Sequence, residues 1–125
     1  MPFRNLETLA NLKPDVTRMA ALPENTGARF FYFIYFAGCQ KTAEARARLF
    51  FYGGEDPATG SAAGCAAAWM AKYGIVNSGE QVLIWQGVEA RRPSEIFVRA
   101  TSEGCVTNVR VGGYAVEVLR GTVTL

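Results

Sequence analysis

The sequence predicts an α+β fold, a mostly antiparallel, barrel-like sheet wrapped around one buried helix. Three observations carry that prediction. Residues 61–74, "SAAGCAAAWMAKYG", are dominated by alanine, the best helix former, and end on Gly74 as a C-terminal cap. From Ala62 to Ala71 every side chain is apolar or tiny, and a helix without a polar face must be enclosed on all sides. The second half of the chain consists of short β-branched runs separated by glycine, proline and polar turns, and residues 28–38, "ARFFYFIYFAG", read as a strand buried on both faces.

Taken in order, "NLETLANLK" (residues 5–13) spaces Leu6, Leu9 and Leu12 for a helix with Asn5 as N-cap, and Pro14 stops the pattern. In "TAEARARLFFY" (residues 42–52), Glu44, Arg46 and Arg48 alternate with Ala43, Ala45, Ala47 and Leu49, and that period of two predicts a strand despite good helix formers. Gly53 and Gly54 suit a sharp corner from strand to helix. Beyond the alanine-rich helix, strands are expected over residues 81–87, 94–100, 105–111 and 114–121. Gly112 and Gly113 form a two-residue hairpin turn between the last two.

A chain of 125 residues, half of them apolar, makes one domain with a real core, assigned to residues 1–125. A net charge of +2, with 13 scattered Lys and Arg, argues against a nucleic-acid partner. The longest apolar run is about half the ~20 residues that cross a bilayer, so no membrane partner is expected. The opening "MPFRNLETL" has no signal-peptide core, and three widely spaced cysteines fit a reducing, cytoplasmic setting better than a disulfide framework. With no histidine and no paired cysteines, a transition-metal site is not expected.

The chemistry concentrates in "GGEDPATGSAAGC", residues 53–65. The first turn of a helix leaves amide hydrogens without partners and carries partial positive charge. Small residues at Ala58, Thr59, Gly60, Ser61 and Ala62 let a ligand come close to that backbone, and a carboxylate is the natural guest. The hydroxyls of Thr59 and Ser61 either add donors or cap the helix. Asp56 has two readings: the N-cap, with Pro57 at the first helical position, or a carboxylate that holds a substrate amine or hydroxyl or moves a proton. Glu55 is the weaker of the two acids. Cys65, one turn into an apolar helix, is expected to be a core residue rather than a nucleophile.

The stretch "GEDPATGSAAG" resembles the signature of the PhzF-like (phenazine biosynthesis-type) isomerases, which share the diaminopimelate epimerase fold. "ARLFFYGGEDPATGSA", "QGVEARRPSEIFVRA" and "VRVGGYAVEVLRGTVTL" are similar to further segments of that family, so the likeness runs from about Leu6 to the end of the chain. It implies a protein of two similar halves, each wrapping a sheet around a central helix, with the active site between the helix N-termini. It also implies that Asp56 binds substrate and that Gly60, Ser61 and Ala62 hold the substrate carboxylate, in a cofactor-independent proton transfer. Only the second, carboxyl-terminal half is matched. The Gly-Asn-Pro segment, the acid/base glutamate near it and the histidine of the first half have no counterpart here, and Ala90 precedes Arg91 where the family carries glycine.

Three readings follow. The chain is the C-terminal half of such an isomerase, acting with an amino-terminal half-domain or a second copy of itself. Alternatively it is a self-associating half-domain that binds a small carboxylate without chemistry, or a remnant in which the motif serves as a helix cap. The aromatic run "FFYFIYF", too apolar for an exposed edge, favours a companion, and a homodimer would set two Asp56 carboxylates across a shared cleft.

Overall fold

The computed structural model describes residues 1–21, 27, 30–38, 44–51 and 54–124. Gly53, Cys39 and the outer residues of the strands expected over 28–38 and 42–52 lie outside them. In chain order the described elements are α1 (Leu6–Ala10), α2 (Val16–Ala21), β1 (Phe31–Phe36), β2 (Glu44–Phe51), β3 (Gly54–Asp56), α3 (Gly60–Lys72), β4 (Val82–Gln86), β5 (Ser94–Glu103) and β6 (Cys105–Gly113). The fold is α+β, with six strands in one sheet ordered β1-β2-β4-β5-β6 and β3 paired to β2.

The helices begin where local chemistry starts them. Asn5 Oδ1 accepts from the Thr8 amide at 2.8 Å and opens α1. The short α2 was not anticipated; Asp15 Oδ1 accepts from the Arg18 amide at 3.0 Å just after Pro14, an N-cap signal the leucine pattern obscured.

The period-two reading of residues 44–51 holds, and burial explains it. Ala45, Ala47 and Leu49 are buried, and Ala45 and Ala47 belong to one core cluster with Ala63, Ala66 and Ala67 of α3, a helix that packs chiefly on β5 and β6. Phe33 and Phe50 pack with Leu9 of α1 in a second cluster, while Ile34 joins the α3 side. Only the middle of the aromatic strand is buried, Phe33 on the α1 face and Ile34 on the α3 face, and the other four residues of β1 are half-buried. Its outer edge is met by the chain's own first residues: the Phe3 amide donates to Ile34 O at 2.7 Å and the Ile34 amide to Met1 O at 3.0 Å.

The pairing is antiparallel except between β2 and β4, which run parallel with α3 as their crossover. β4 lies beside residues 44–47 of β2 and β3 beside residues 49–51.

Four expectations are corrected. The sheet is open, since β1 and β6 end it and do not pair with each other. The helix α3 is accordingly not enclosed: Ala63, Ala67 and Met70 are buried, but Gly60, Ser61, Cys65 and Lys72 are exposed along the gap. Gly112 and Gly113 make no turn; they pair with Phe97 and Ile96 inside β6. The hairpin falls at Gly104, whose φ of +82° suits the reversal, because β5 is long enough for β6 to run beside it along its whole length. Residues 114–121 pair with no strand among the described residues, and residues 114–124 run exposed beyond β6.

Candidate active site at the start of helix α3

β3 and β4 meet end to end along one edge of β2, and the start of α3 is built at their junction. Successive residues of a strand point to opposite faces. In β3 that rule separates the two acids. Glu55 turns to the α1 face and forms a two-pronged ion pair with Arg48, Nε to Oε1 at 2.9 Å and Nη2 to Oε2 at 2.8 Å. Arg48 is buried and its Nη1 also donates to the carbonyls of Leu9, Ala10 and Leu12, which closes the C-terminal end of α1. The hydrogen bond to Glu55 raises the Arg48 pKa above its ordinary value, outweighing burial, which lowers it. Glu55 is a structural group.

Asp56 turns to the other face, at the mouth of α3. Its Oδ2 accepts from the Thr59 hydroxyl at 2.5 Å, and its Oδ1 takes a long 3.4 Å contact from the Ala58 amide. The N-cap of α3 is Thr59, not Asp56, and no side chain caps the helix. The structural reading of Asp56 as N-cap with Pro57 at the first helical position is thereby corrected: three residues separate Asp56 from the helix, and its carboxylate organises the approach to it.

The group that builds this corner is Gln86, wholly buried at the end of β4. Its Nε2 donates to Asp56 O at 2.7 Å and to Thr59 Oγ1 at 2.9 Å. Its Oε1 accepts from the Thr59 amide and from the Tyr32 hydroxyl, both at 3.2 Å. Burial pushes the Tyr32 phenol far above its ordinary pKa, so it stays neutral and donates. Next to Gln86, Gly87 has φ +76°, and a Cβ there would lie 2.3 Å from Arg92 O and 2.6 Å from Pro57 O. Only glycine lets β4 end so close to Pro57.

Neither Gln86 nor Tyr32 stood out in the sequence as a site residue. The signal was present: Val82, Ile84 and Gln86 share the buried face of one strand, and a lone amide at the end of such a series needs partners.

Beyond this network, the amides of Gly60, Ser61 and Ala62 have no acceptor among the described residues, and no acidic side chain lies in the first turn. Gly60 and Ser61 are exposed. A cleft of about 460 Å³ opens there between α3 and the sheet, bordered by Phe30, Phe51, Asp56, Ser61, Ala62 and Cys65. Cys65 is thus exposed on the cleft wall and not a core residue; its side of α3 faces the gap between β1 and β6. A second cleft, of about 810 Å³, flanks the helix start on the β6 side, between Ala58, Gly60, Trp85, Glu95, Gly113 and Tyr114. Asp56, Thr59, Gly60, Ser61 and Ala62, singled out from the sequence, therefore stand together. The Thr59 hydroxyl hydrogen is directed at Asp56 rather than at the cleft. Among the described residues no cluster of acids and cysteines is arranged to hold a metal ion.

Comparisons with known proteins agree with one another. Residues 1–121 match the family described as phenazine biosynthesis-like protein. The chain is 38% identical over 118 residues to the trans-2,3-dihydro-3-hydroxyanthranilate isomerase of Pseudomonas chlororaphis, covering 90% of this chain and 42% of that protein. A crystal structure of a phenazine biosynthesis protein from Bacillus anthracis superposes with a TM-score of 0.66 at 20% identity, over 92% of this chain and 44% of that one. A protein described as a predicted epimerase, from Pseudomonas aeruginosa, superposes with a TM-score of 0.57 at 26% identity, over 93% of this chain and 40% of the other. The chain thus spans about two-fifths of the length of the relatives it matches.

Proposed function

The chain belongs to the phenazine biosynthesis-like protein family, and from that premise we propose that residues 1–125 are the C-terminal domain of a PhzF-like isomerase. It catalyses a cofactor-independent, proton-transfer isomerisation of a small carboxylate, in the cytoplasm, once a companion lobe faces the helix start. The companion is an amino-terminal half-domain or a second copy of this chain. The observation that carries the reading is the set of free amides at Gly60, Ser61 and Ala62 beside the Asp56 carboxylate.

These amides and the Ser61 hydroxyl receive the substrate carboxylate. When a proton leaves the neighbouring carbon, its electron pair spreads into that carboxylate, and fixed donors at a helix start stabilise the added charge without reorganising. Asp56 binds the substrate's amine or hydroxyl, and in a homodimer two Asp56 side chains share the cleft and one of them holds the transferred proton. The Thr59 hydroxyl orients Asp56.

A second reading is a carboxylate-binding half-domain without chemistry. It is favoured by the fate of the motif's other acid: Glu55 is locked to Arg48, which leaves Asp56 as the one acid on this cleft's wall among the described residues.

The test is amide-resolved NMR with small 2-amino and 2-hydroxy carboxylates, run beside deuterium incorporation from solvent. Shifts at Gly60, Ser61 and Ala62 that are lost in Ser61→Ala, with deuterium uptake lost in Asp56→Asn, support the isomerase. Shifts without uptake, with or without an added amino-terminal half, leave the binding module. No shift with any carboxylate overturns both.

A further inference from the structure

From the outer face of β5 and β6 we infer that this chain carries a binding site for a phosphate monoester with a flat body. Arg99 and Arg110 take the phosphoryl group, and the body lies over Gly112 against Phe97. This face is turned away from α3, so the site is separate from the carboxylate cleft and independent of the isomerase reading.

The strands themselves place the two arginines. Ile96, Val98 and Ala100 of β5 are buried in the cluster that holds α3, so Phe97, Arg99 and Thr101 belong to the opposite face. In β6, Val109 and Val111 lie against Gly64 of α3, which sets Arg110 on that opposite face too. Arg99 and Arg110 are register partners. Directly opposed residues hold their Cβ atoms about 5 Å apart, and like charges so placed destabilise a sheet. Both arginines are exposed, and neither makes a hydrogen bond or ion pair with a described residue, whereas Arg46, Arg48 and Arg120 each have a glutamate. The acids of this face on β5, Glu95 and Glu103, stand four residues to either side of Arg99, about 13 Å away at ~3.3 Å per residue. An anion between the two guanidinium groups removes their repulsion.

The next positions add donors and a kink. Thr101 and Thr107 form the following pair on the same face. Between the two pairs the register shifts: Ala100 of β5 stands against both Asn108 and Val109, and Asn108 takes φ +50°. That is a β-bulge, which twists the ladder locally and re-aims the side chains beside it. Two guanidinium forks and two hydroxyls are thus gathered in successive pairs, with no carboxylate among them. A planar carboxylate matches one guanidinium fork, while a tetrahedral phosphate dianion has oxygens and charge for both.

The other side of the arginine pair selects what the phosphate is attached to. Phe97 is opposite Gly112, and a Cβ at Gly112 would meet nothing within 4 Å. The floor beside the Phe97 ring is therefore open, and Tyr114 packs edge-on against that ring at 5.6 Å between centroids. Phe97 and Arg99 follow one another on the same face, so a ring resting over Gly112 sets its phosphate one step along the strands, at the guanidinium pair.

NMR of the Arg99 and Arg110 Nε–H groups in the full chain at constant ionic strength tests this, with circular dichroism confirming that each variant is folded. Phenyl phosphate should shift both signals saturably at millimolar concentration, and inorganic phosphate should do so more weakly. Arg99→Gln and Arg110→Gln should each weaken phenyl phosphate binding about tenfold or more, the loss expected for a charged hydrogen bond. Gly112→Val should lower the affinity for phenyl phosphate to that for inorganic phosphate and leave the latter unchanged. Shifts that grow linearly, or that acetate and chloride reproduce at the same ionic strength, show screening alone and overturn the proposal. Phenyl phosphate binding indifferent to residues 99 and 110 overturns it too, as does a response to anionic lipid vesicles with none to phenyl phosphate. A preference for phenyl phosphate that survives Gly112→Val overturns the place assigned to the ring.

Discussion

The Gln86 amide nitrogen donates to the Thr59 hydroxyl oxygen at 2.9 Å, and this one contact decides where the Thr59 hydrogen goes. With a lone pair of Oγ1 occupied by that donor, the hydroxyl gives its hydrogen to Asp56 Oδ2, and a chain of donors runs from Tyr32 through Gln86 and Thr59 to the carboxylate. Because Thr59 spends its side chain on Asp56, it does not cap α3, and the first-turn amides stay free. A buried amide at the end of one strand thus sets the chemistry at the start of a helix.

Replacing Gln86 with leucine removes four hydrogen bonds and strands the Thr59 amide and the Asp56 carbonyl. The expected cost is about 2–4 kcal/mol of stability, at roughly 1 kcal/mol per bond, read from urea unfolding. Carboxylate-induced amide shifts at residues 60–62 should weaken by more than about tenfold, since each ~1.4 kcal/mol of lost anchoring is tenfold in affinity.

Gly87→Ala should be severe for so small a change. The residue needs φ +76°, and the added methyl meets two carbonyl oxygens within 2.6 Å. Backbone strain of about 1–2 kcal/mol and overpacking of about 1–3 kcal/mol add to roughly 2–5 kcal/mol. Calorimetry should show a fall in Tm well beyond that of Gly74→Ala, where φ is also positive but nothing lies within 4 Å of the new methyl.

Arg48→Met leaves the partly buried Glu55 without its partner and the carbonyls of Leu9, Ala10 and Leu12, at and just past the end of α1, without this donor, and should cost about 3 kcal/mol or more. Pairing it with Glu55→Leu should recover part of that loss, because the isolated carboxylate is then gone. Arg48 has its pKa raised in the folded protein. Its contribution is therefore complete below its unfolded pKa and is lost only as pH climbs through the raised one. Between about pH 6 and 10 protonation of this arginine contributes no pH dependence of its own, because arginine stays charged there. Denaturant melts of wild type and the double variant across that window check it.

Tyr32 carries a pH signal of the same sign, but one that begins at lower pH. Its phenol, ordinarily titrating at 10.0, is held neutral well above that value by burial. The group stabilises the fold fully below pH 10 and loses that contribution as pH rises through the folded value. Alkaline titration followed by phenolate absorbance should show Tyr32 ionising only with unfolding. Tyr32→Phe should flatten the alkaline loss of stability and, by removing one donor to Gln86, cost about 1 kcal/mol near neutrality.

Much of this was legible in the residues. Alternating charges in 44–51 outweighed their helix propensity because a strand's faces differ at every residue, and burial of Ala45 and Ala47 follows that period. The small residues from Ala58 to Ala62 marked an approachable helix start, and the helix begins within them. The hairpin was placed wrongly because Gly112-Gly113 and Gly104 are equally able to turn. The choice depended on how far β5 runs, a property of pairing between strands. Enclosure of α3 on all sides failed for a related reason: composition shows that a surface is apolar, not which molecule covers it, and the sheet of this chain leaves the Cys65 side open.

By itself the sequence determined most of the element types and the motif that identifies the family, since these depend on neighbours along the chain. Only the tertiary structure decided that Glu55 is spent on Arg48 while Asp56 meets Thr59, and that Gln86 and Tyr32 belong to the site. Those roles depend on which face of β3 each acid occupies and on β3 and β4 ending against each other beside β2. Contacts such as those of Gln86, to residues 27 to 54 positions away, are set by the packing of strands, where hydrogen bonds must be satisfied in three dimensions and the order of residues along the chain no longer says which groups meet.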